Sequence, residues 1–382
     1  MPNKKLKKVQ FHEILAALLD DSQVFPPAYL PRFSDLEGVD FESLKTVWPQ
    51  VNQTRRIALM EDLEDLNESD MTLWFNSLAG FALDDESPRV REVAVRMLWE
   101  SSDANLQEKI TGMMFNDPDV KVRTAAASAL GKYVYEGELE EIPAEKLRQV
   151  EDDLLKTING EDEVEVRRRA LESMGFSGRP EVPALIRRAY EDGGQKWLVS
   201  ALFAMGRSAD DAWAPEIMRM LNNPILEVQV EAVRAAGELA IEKARLPLLR
   251  LLQEENEDED VRFAAIWALS KIGGESVRDT LEEMLEETED DEEAEFIENA
   301  LDNLSFTEDM GLFSMFDFDN MTPEQAERFE DLEDLYDISQ PTDDEDDSPR
   351  PGGPARQKGS AAPGASNNTN KEPPEKKKRH RH

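Results

Sequence analysis

Apolar positions along this chain fall in short blocks, and the blocks repeat. The first residue of each block is Val90, Val122, Val166, Trp197, Val228 or Val261, at intervals of 32, 44, 31, 31 and 33 residues. Four positions on stand Ala94, Ala126, Ala170, Ala201, Ala232 and Ala265. Four beyond those stand Leu98, Leu130, Met174, Met205, Ala236 and Leu269. Steps of four keep one face of an α-helix apolar, so each block predicts an amphipathic helix. The long interval carries its extra residues around Tyr135 to Gln149.

A second register, built from other residues, has the same step. Pro183, Pro215 and Pro247 are 32 apart, and Leu185, Ile217, Leu249 and Leu281 follow them. Proline is tolerated in the first turn of a helix, where its missing N–H would have no intrahelical partner. Each repeat is therefore expected to contain two helices. Ser87-Pro88, Asp117-Pro118 and Asn223-Pro224 precede the second helix and supply turn and cap chemistry. Alanine at the fourth position, and Gly131, Gly175, Gly206 and Gly237 at the ninth, leave room for a close neighbour or a helix end. A single repeat of this kind cannot bury its apolar face, and a stack can.

The Val-Arg pairs at helix starts (Val90-Arg91, Val122-Arg123, Val166-Arg167, Val261-Arg262), with endings such as the Ala-Leu-Ser-Lys-Ile-Gly of Ala268 to Gly273, resemble HEAT repeats, particularly the phycobilisome-lyase subtype. The resemblance covers Thr72 to Asn303, with a degenerate first repeat around Arg55, Leu59 and Leu63. It implies an all-α solenoid of stacked helix pairs. Its last repeat, Asp291 to Leu304, carries Asn299 and Asn303 in place of apolar residues, as expected of a cap facing water.

Outside the repeats the pattern changes. Val24 to Asp40 contains three prolines and several aromatics and reads as an extended strap. After Leu304 come aromatic and acidic residues, with Phe313, Phe316 and Phe318 among Asp317 and Asp319, a composition that either docks on the last helix or folds against a partner. Thr322-Pro323-Glu324-Gln325 reads as a capping-box start for a short acidic helix. The divisions expected are thus 1–70, strap and degenerate repeat; 71–305, solenoid; 306–340, acidic-aromatic segment; and 341–382, a tail without a core.

Composition narrows the chemistry. The net charge of −39 is divided as −31 over residues 1–305, −15 over 306–347 and +7 over 348–382. So acidic a body repels a phosphate backbone, which leaves only the basic terminus, Lys376 to His382, for weak nucleic-acid association. The absence of cysteine fits a reducing, cytoplasmic setting and removes disulfides and thiol chemistry. Histidine occurs only at 12, 380 and 382, so no His-based metal site or triad can be built in the repeats, and no cofactor is expected. No stretch is long and apolar enough to span a bilayer.

These features predict a non-catalytic scaffold that binds a protein, its charge favouring a basic partner. Arg167, Arg168 and Arg169, with Arg187 and Arg188, stand out in the acidic body as a candidate partner surface on which the acidic tail would compete. Two alternatives remain at this stage. One is chromophore handling like that of phycobilin lyases, with Trp74, Trp197, Trp213 and Trp267 lining a groove; the other is nucleic-acid association through the C-terminus.

Overall fold

A computed structural model describes residues 9–314, except 71, 100, 102–104, 193 and 254–257; for 192 and 308–314 it describes the backbone alone. Seventeen α-helices occur among the described residues, with short 3-10 turns between some of them and no strand. They are α1 (Phe11–Leu19), α2 (Gly38–Val47), α3 (Gln53–Ser69), α4 (Asn76–Ala82), α5 (Pro88–Met97), α6 (Leu106–Asn116), α7 (Val120–Glu138), α8 (Ala144–Ile158), α9 (Val164–Ser173), α10 (Val182–Asp192), α11 (Gly194–Arg207), α12 (Ala214–Met220), α13 (Leu226–Glu238), α14 (Arg245–Leu252), α15 (Glu259–Ile272), α16 (Val277–Glu287) and α17 (Asp291–Ser314).

The helices form antiparallel pairs, α4 with α5 through α16 with α17, and the pairs stack. The second helices, α3, α5, α7, α9, α11, α13, α15 and α17, pack directly on one another in sequence, whereas the first helices touch each other little. This unequal stacking defines an inner row of second helices and an outer row of first helices. The cause is side-chain size. Five of the six block-leading residues are fully buried, as are all six alanines four positions on, and the third set is at most 3% exposed. Trp197 alone among the leading residues is only partly covered.

The glycines at the ninth position explain the tight inner row. A Cβ on Gly175 would lie 2.9 Å from the Ala204 backbone, one on Gly206 3.0 Å from Ala235, and one on Gly237 2.6 Å from Ala268. Gly131 meets Ser173 in the same way, at 2.9 Å. Each glycine therefore seats the next second helix at its seventh position, and any larger residue would push the repeats apart. The series ends at Ser270, whose hydroxyl accepts a hydrogen bond from Asn303 Nδ2 at 2.9 Å. Asn299 faces outward as expected of a cap residue, but Asn303 joins the cap to the stack.

Charge fixes the repeats laterally. Arginines near the start of several second helices reach the next repeat: Arg56 pairs with Asp85 at 3.1 Å, Arg91 with Asp117 at 2.8 Å, Arg123 with Asp162 at 2.8 Å and Arg262 with Glu293 at 2.6 Å. Arg91 and Arg123 also donate to carbonyls of their own inter-helix loops. Asp85, Asp117 and Asn223 accept from the backbone N–H two residues on, which shapes the turn ahead of the helix rather than its cap. The caps themselves are Asn52, Asp119 and Asp258.

Two expectations are corrected. Val24 to Asp40 is not extended: Pro27–Phe33 forms a 3-10 helix and α2 begins at Gly38. Proline at the start of a helical turn is preorganised for it, and burial of Phe25, Leu30 and Phe33, with the Phe33 ring between those of Phe11 and Phe25, draws the segment into a compact fold. The extra residues around Tyr135 to Gln149 lengthen α7 to Glu138 and α8 to 15 residues. The stop expected at 305 falls inside α17, which runs on to Ser314.

Candidate functional site

The helix positions that face away from the stacking contacts on the inner row are the third, sixth and tenth of each second helix. From α9 to α15 these positions carry aromatic and charged residues, with Ser200 and Ala264 the exceptions. Phe203 of α11 and Trp267 of α15 are sixth residues, and Phe176, in the 3-10 turn after α9, and Arg207 are tenth residues. With Tyr135, Phe263, Phe296, Glu231, Arg234 and Glu238 they line an open cavity of about 790 Å³. Tyr135 is exposed, and the five other aromatics are half-buried.

The rings form two clusters. Tyr135 and Phe176 lie 5.1 Å apart between centroids at one end. Phe263 and Phe296 make an edge-to-face pair at 4.9 Å at the other, with Trp267 6.4 Å from Phe296. Between them the Arg207 guanidinium lies 4.0 Å from the Phe203 ring centroid and 4.6 Å from that of Phe176. A cation between two ring faces is held by their quadrupoles and keeps the rings from collapsing on each other. Burial pulls the Arg207 pKa below its ordinary value, partly offset by Glu172, Glu231 and Glu238.

Glu231 sits on the floor of this cavity. It is 8% exposed, and its carboxylate makes no hydrogen bond or ion pair among the described residues. Burial raises its pKa to about 7, with Glu172 pushing in the same direction and Arg234, Arg207 and Arg169 opposing. Glu172, by contrast, is satisfied: it receives the Ser200 hydroxyl at 2.5 Å and pairs with Arg169 at 2.6 Å.

The arginines singled out from sequence are brought to different places. Arg167 donates to the Ile158 carbonyl at 3.1 Å and lies 5.7 Å over Trp197. Arg168 is buried and ties α9 to α11 through the Lys196 carbonyl at 2.8 Å and Ser200 at 2.9 Å. Arg169 pairs with Glu172 on its own helix and lines a separate cavity with Arg96 and Thr124. Arg187 pairs with Glu216 at 3.2 Å over Trp213, and Arg188 donates to Asn159 at 3.4 Å. Only Arg167 and Arg188 share a small cavity, beside Trp197. All five have partners and they do not form one surface, so the expectation of a continuous basic patch is corrected. Clustering in sequence does not survive the rotation of about 100° per residue around a helix.

Phe313 lies in the last turn of α17, while Phe316 and Phe318 fall outside the described residues. The four tryptophans share no groove either: Trp213 is buried under Arg187, Trp197 lies under Arg167, and only Trp267 lines the aromatic cavity. Arg207, Glu231 and the aromatic row escaped sequence reading. The signal that marks them is the recurrence of Phe or Trp at sixth positions and of Phe and Arg at tenth positions, where a solvated helix face is otherwise polar.

Comparison with known proteins agrees with this architecture. The family model for HEAT repeats matches residues 77–150 and 214–301. Those two stretches are HEAT repeats. The helix pairs at α9 and α11 lie between the two matched stretches and continue the same inner row. Among solved structures, similarity extends to YibA of Escherichia coli (17% identity, 79% of this chain and 99% of that chain, TM-score 0.37). It extends also to the CpcE and CpcF complex of phycocyanin lyase from Nostoc sp. PCC7120 (17%, 80% and 98%, 0.36) and to human deoxyhypusine hydroxylase in complex with glycerol (18%, 78% and 96%, 0.33). No curated protein sequence matches. Among the described residues no helix is long and apolar enough to cross a membrane, and no group of three or more His, Asp or Glu is placed to hold a metal ion.

Proposed function

We propose that this HEAT solenoid is a non-catalytic scaffold whose recognition surface for another protein is the aromatic cavity on its inner row. The supporting observation is the row Phe176, Phe203, Phe263, Trp267 and Phe296, left half-exposed while the equivalent stacking positions are fully covered. Large half-buried rings around an open cavity leave apolar area uncovered at a cost in water, and a partner segment removes that cost by lying across them. Rigid aromatic anchors set between charged neighbours are also the side chains that dominate binding energy at protein interfaces. The acidic body favours a basic partner by long-range attraction.

The reading is tested by placing a photo-crosslinking phenylalanine analogue at Phe203 or Trp267, and at the exposed outer-row Leu246 as a control. Crosslinked proteins are then identified by mass spectrometry. A shared partner captured from both inner positions and not from Leu246 is the expected outcome. Capture from Leu246 alone would move the interface to the outer row, and a crosslinked or co-purifying pigment would replace the protein-binding reading with a chromophore-handling one.

A further inference from the structure

We infer that Glu231 is the socket for a single cationic side chain, lysine or arginine, carried by an apolar segment of the partner that lies along the aromatic row. This inference rests on the protein-binding reading above and identifies the chemistry of the occupant.

The argument begins with what surrounds the carboxylate. Glu231 is more than nine-tenths buried, lines the cavity and has no hydrogen-bonding or ion-pair partner. Its oxygens still reach the cavity, since Arg56 Nε is the one fully enclosed side-chain nitrogen or oxygen without a partner among the described residues, so an incoming donor can complete a carboxylate whose surroundings supply none. Its charged surroundings come from three elements. On α9 stand Glu172 and Arg169, which neutralise each other. On α11 stands Arg207, held by two phenyl faces. On α13 itself stand Arg234 and Glu238, the latter paired with Lys271 of α15 at 2.9 Å. None of these reaches ion-pair distance of Glu231, and Arg234, Arg207 and Arg169 act on it only at longer range, so a donor in direct contact is left to an incoming group.

The walls suit a cation with an apolar stem. Phe203, Phe263 and Trp267 present ring surface to the same cavity. A lysine or arginine side chain passing between them places its methylenes on apolar surface and brings its charged end within reach of both the rings and the carboxylate. The segment's neighbouring apolar side chains then cover Phe296 at one end and Tyr135 and Phe176 at the other. The sign agrees with the field of the body, whose net charge over residues 1–305 is −31. The raised pKa of Glu231 adds a consequence: a cation binds its ionised form, so affinity should rise with pH between about 6 and about 8 as the proton leaves.

The test uses the full-length chain and two fluorescently labelled nonapeptides identical except at the centre, one with arginine flanked by leucines and one with the isosteric neutral citrulline. Fluorescence anisotropy is read at pH 6 and pH 8 with the wild type, Glu231→Gln and Trp267→Ala. The expected result is that the arginine peptide binds wild type at least about tenfold more tightly than its citrulline twin at pH 8, which is the effect of one well-placed charge pair. The preference should shrink at pH 6 and be absent at both pH values in Glu231→Gln, whose near-isosteric side chain keeps the fold. Trp267→Ala should weaken both peptides. Equal binding of the two peptides to wild type, or a preference that survives Glu231→Gln, overturns the socket while leaving the aromatic row as an interface. Binding of neither peptide also overturns the socket, and if Phe203 and Trp267 then yield no crosslinked protein, the interface reading falls with it.

Discussion

At the scale of single residues, burial of two charged groups makes stability depend on pH and on partner identity. The pKa of Glu231 is raised from 4.5 to about 7. Below 4.5 both folded and unfolded chains hold the proton and the group costs nothing. Between 4.5 and about 7 the unfolded chain ionises first, so stability falls as pH rises. Above about 7 the whole penalty, about 3 kcal/mol, is in place. Glu231→Gln removes the titration, so it should gain about 2–3 kcal/mol on wild type at pH 8 relative to its effect at pH 4.5, as read by urea unfolding at the two pH values. Asp85, also buried, is surrounded by donors: Trp48 Nε1 at 2.7 Å, Arg56 at 3.1 Å and the Ser87 N–H at 2.8 Å. Arg56→Met removes the cation and leaves a buried carboxylate, for an expected loss of about 3–5 kcal/mol. Lys109→Met breaks the exposed pair with Asp84 and should cost less than about 1 kcal/mol in the same unfolding assay.

At the scale of elements, the inner row is set by glycine where two helices touch and by nothing of the kind elsewhere. Gly237 meets the Ala268 backbone with no space for a methyl group, whereas Gly112 of α6 has nothing within 4 Å of an added Cβ. Gly237→Ala should therefore destabilise by about 1–3 kcal/mol through overpacking. Gly112→Ala should stabilise by up to about 1 kcal/mol, because alanine has less backbone freedom to lose in a helix interior. Thermal unfolding of the two variants beside wild type checks both signs. The glycine periodicity was legible in the sequence, but its alternative meanings, a close contact or a helix end, could be separated only by seeing which backbone stood opposite. The 3-10 helix at Pro27–Phe33 was illegible for a related reason: prolines permit both an extended path and a tight turn, and burial of Phe25 and Phe33 selected the turn.

At the scale of the whole molecule, excess negative charge governs encounter more than contact. With −39 over the chain, a basic partner is drawn in over distances comparable to the screening length of about 8–10 Å at moderate salt. Raising salt from about 50 mM to about 300 mM should slow association at least several-fold and change dissociation much less, measured by stopped-flow or surface-binding kinetics. The same charge opposes compaction, so the melting temperature of the free chain should rise over that salt range.

The sequence by itself determined the all-α stack, the two helices of each repeat and the residues that bury between repeats. These follow from period and size, which are local properties: a step of four selects one helix face, and alanine or glycine on that face admits a neighbour. Only the tertiary structure decided where charge is spent. Arg167, Arg168, Arg169, Arg187 and Arg188 are close in sequence, yet their partners are scattered over the end of α8, α9 itself, α11 and α12. Phe176, Phe203, Glu231 and Trp267, spread over 92 positions, converge on one cavity because stacking places the tenth position of one helix, the sixth of the next and the third of the one after along a single row. Position in the stack, which no single repeat encodes, left Glu231 without the partner that Asp85 obtained from the loop and helix beside it.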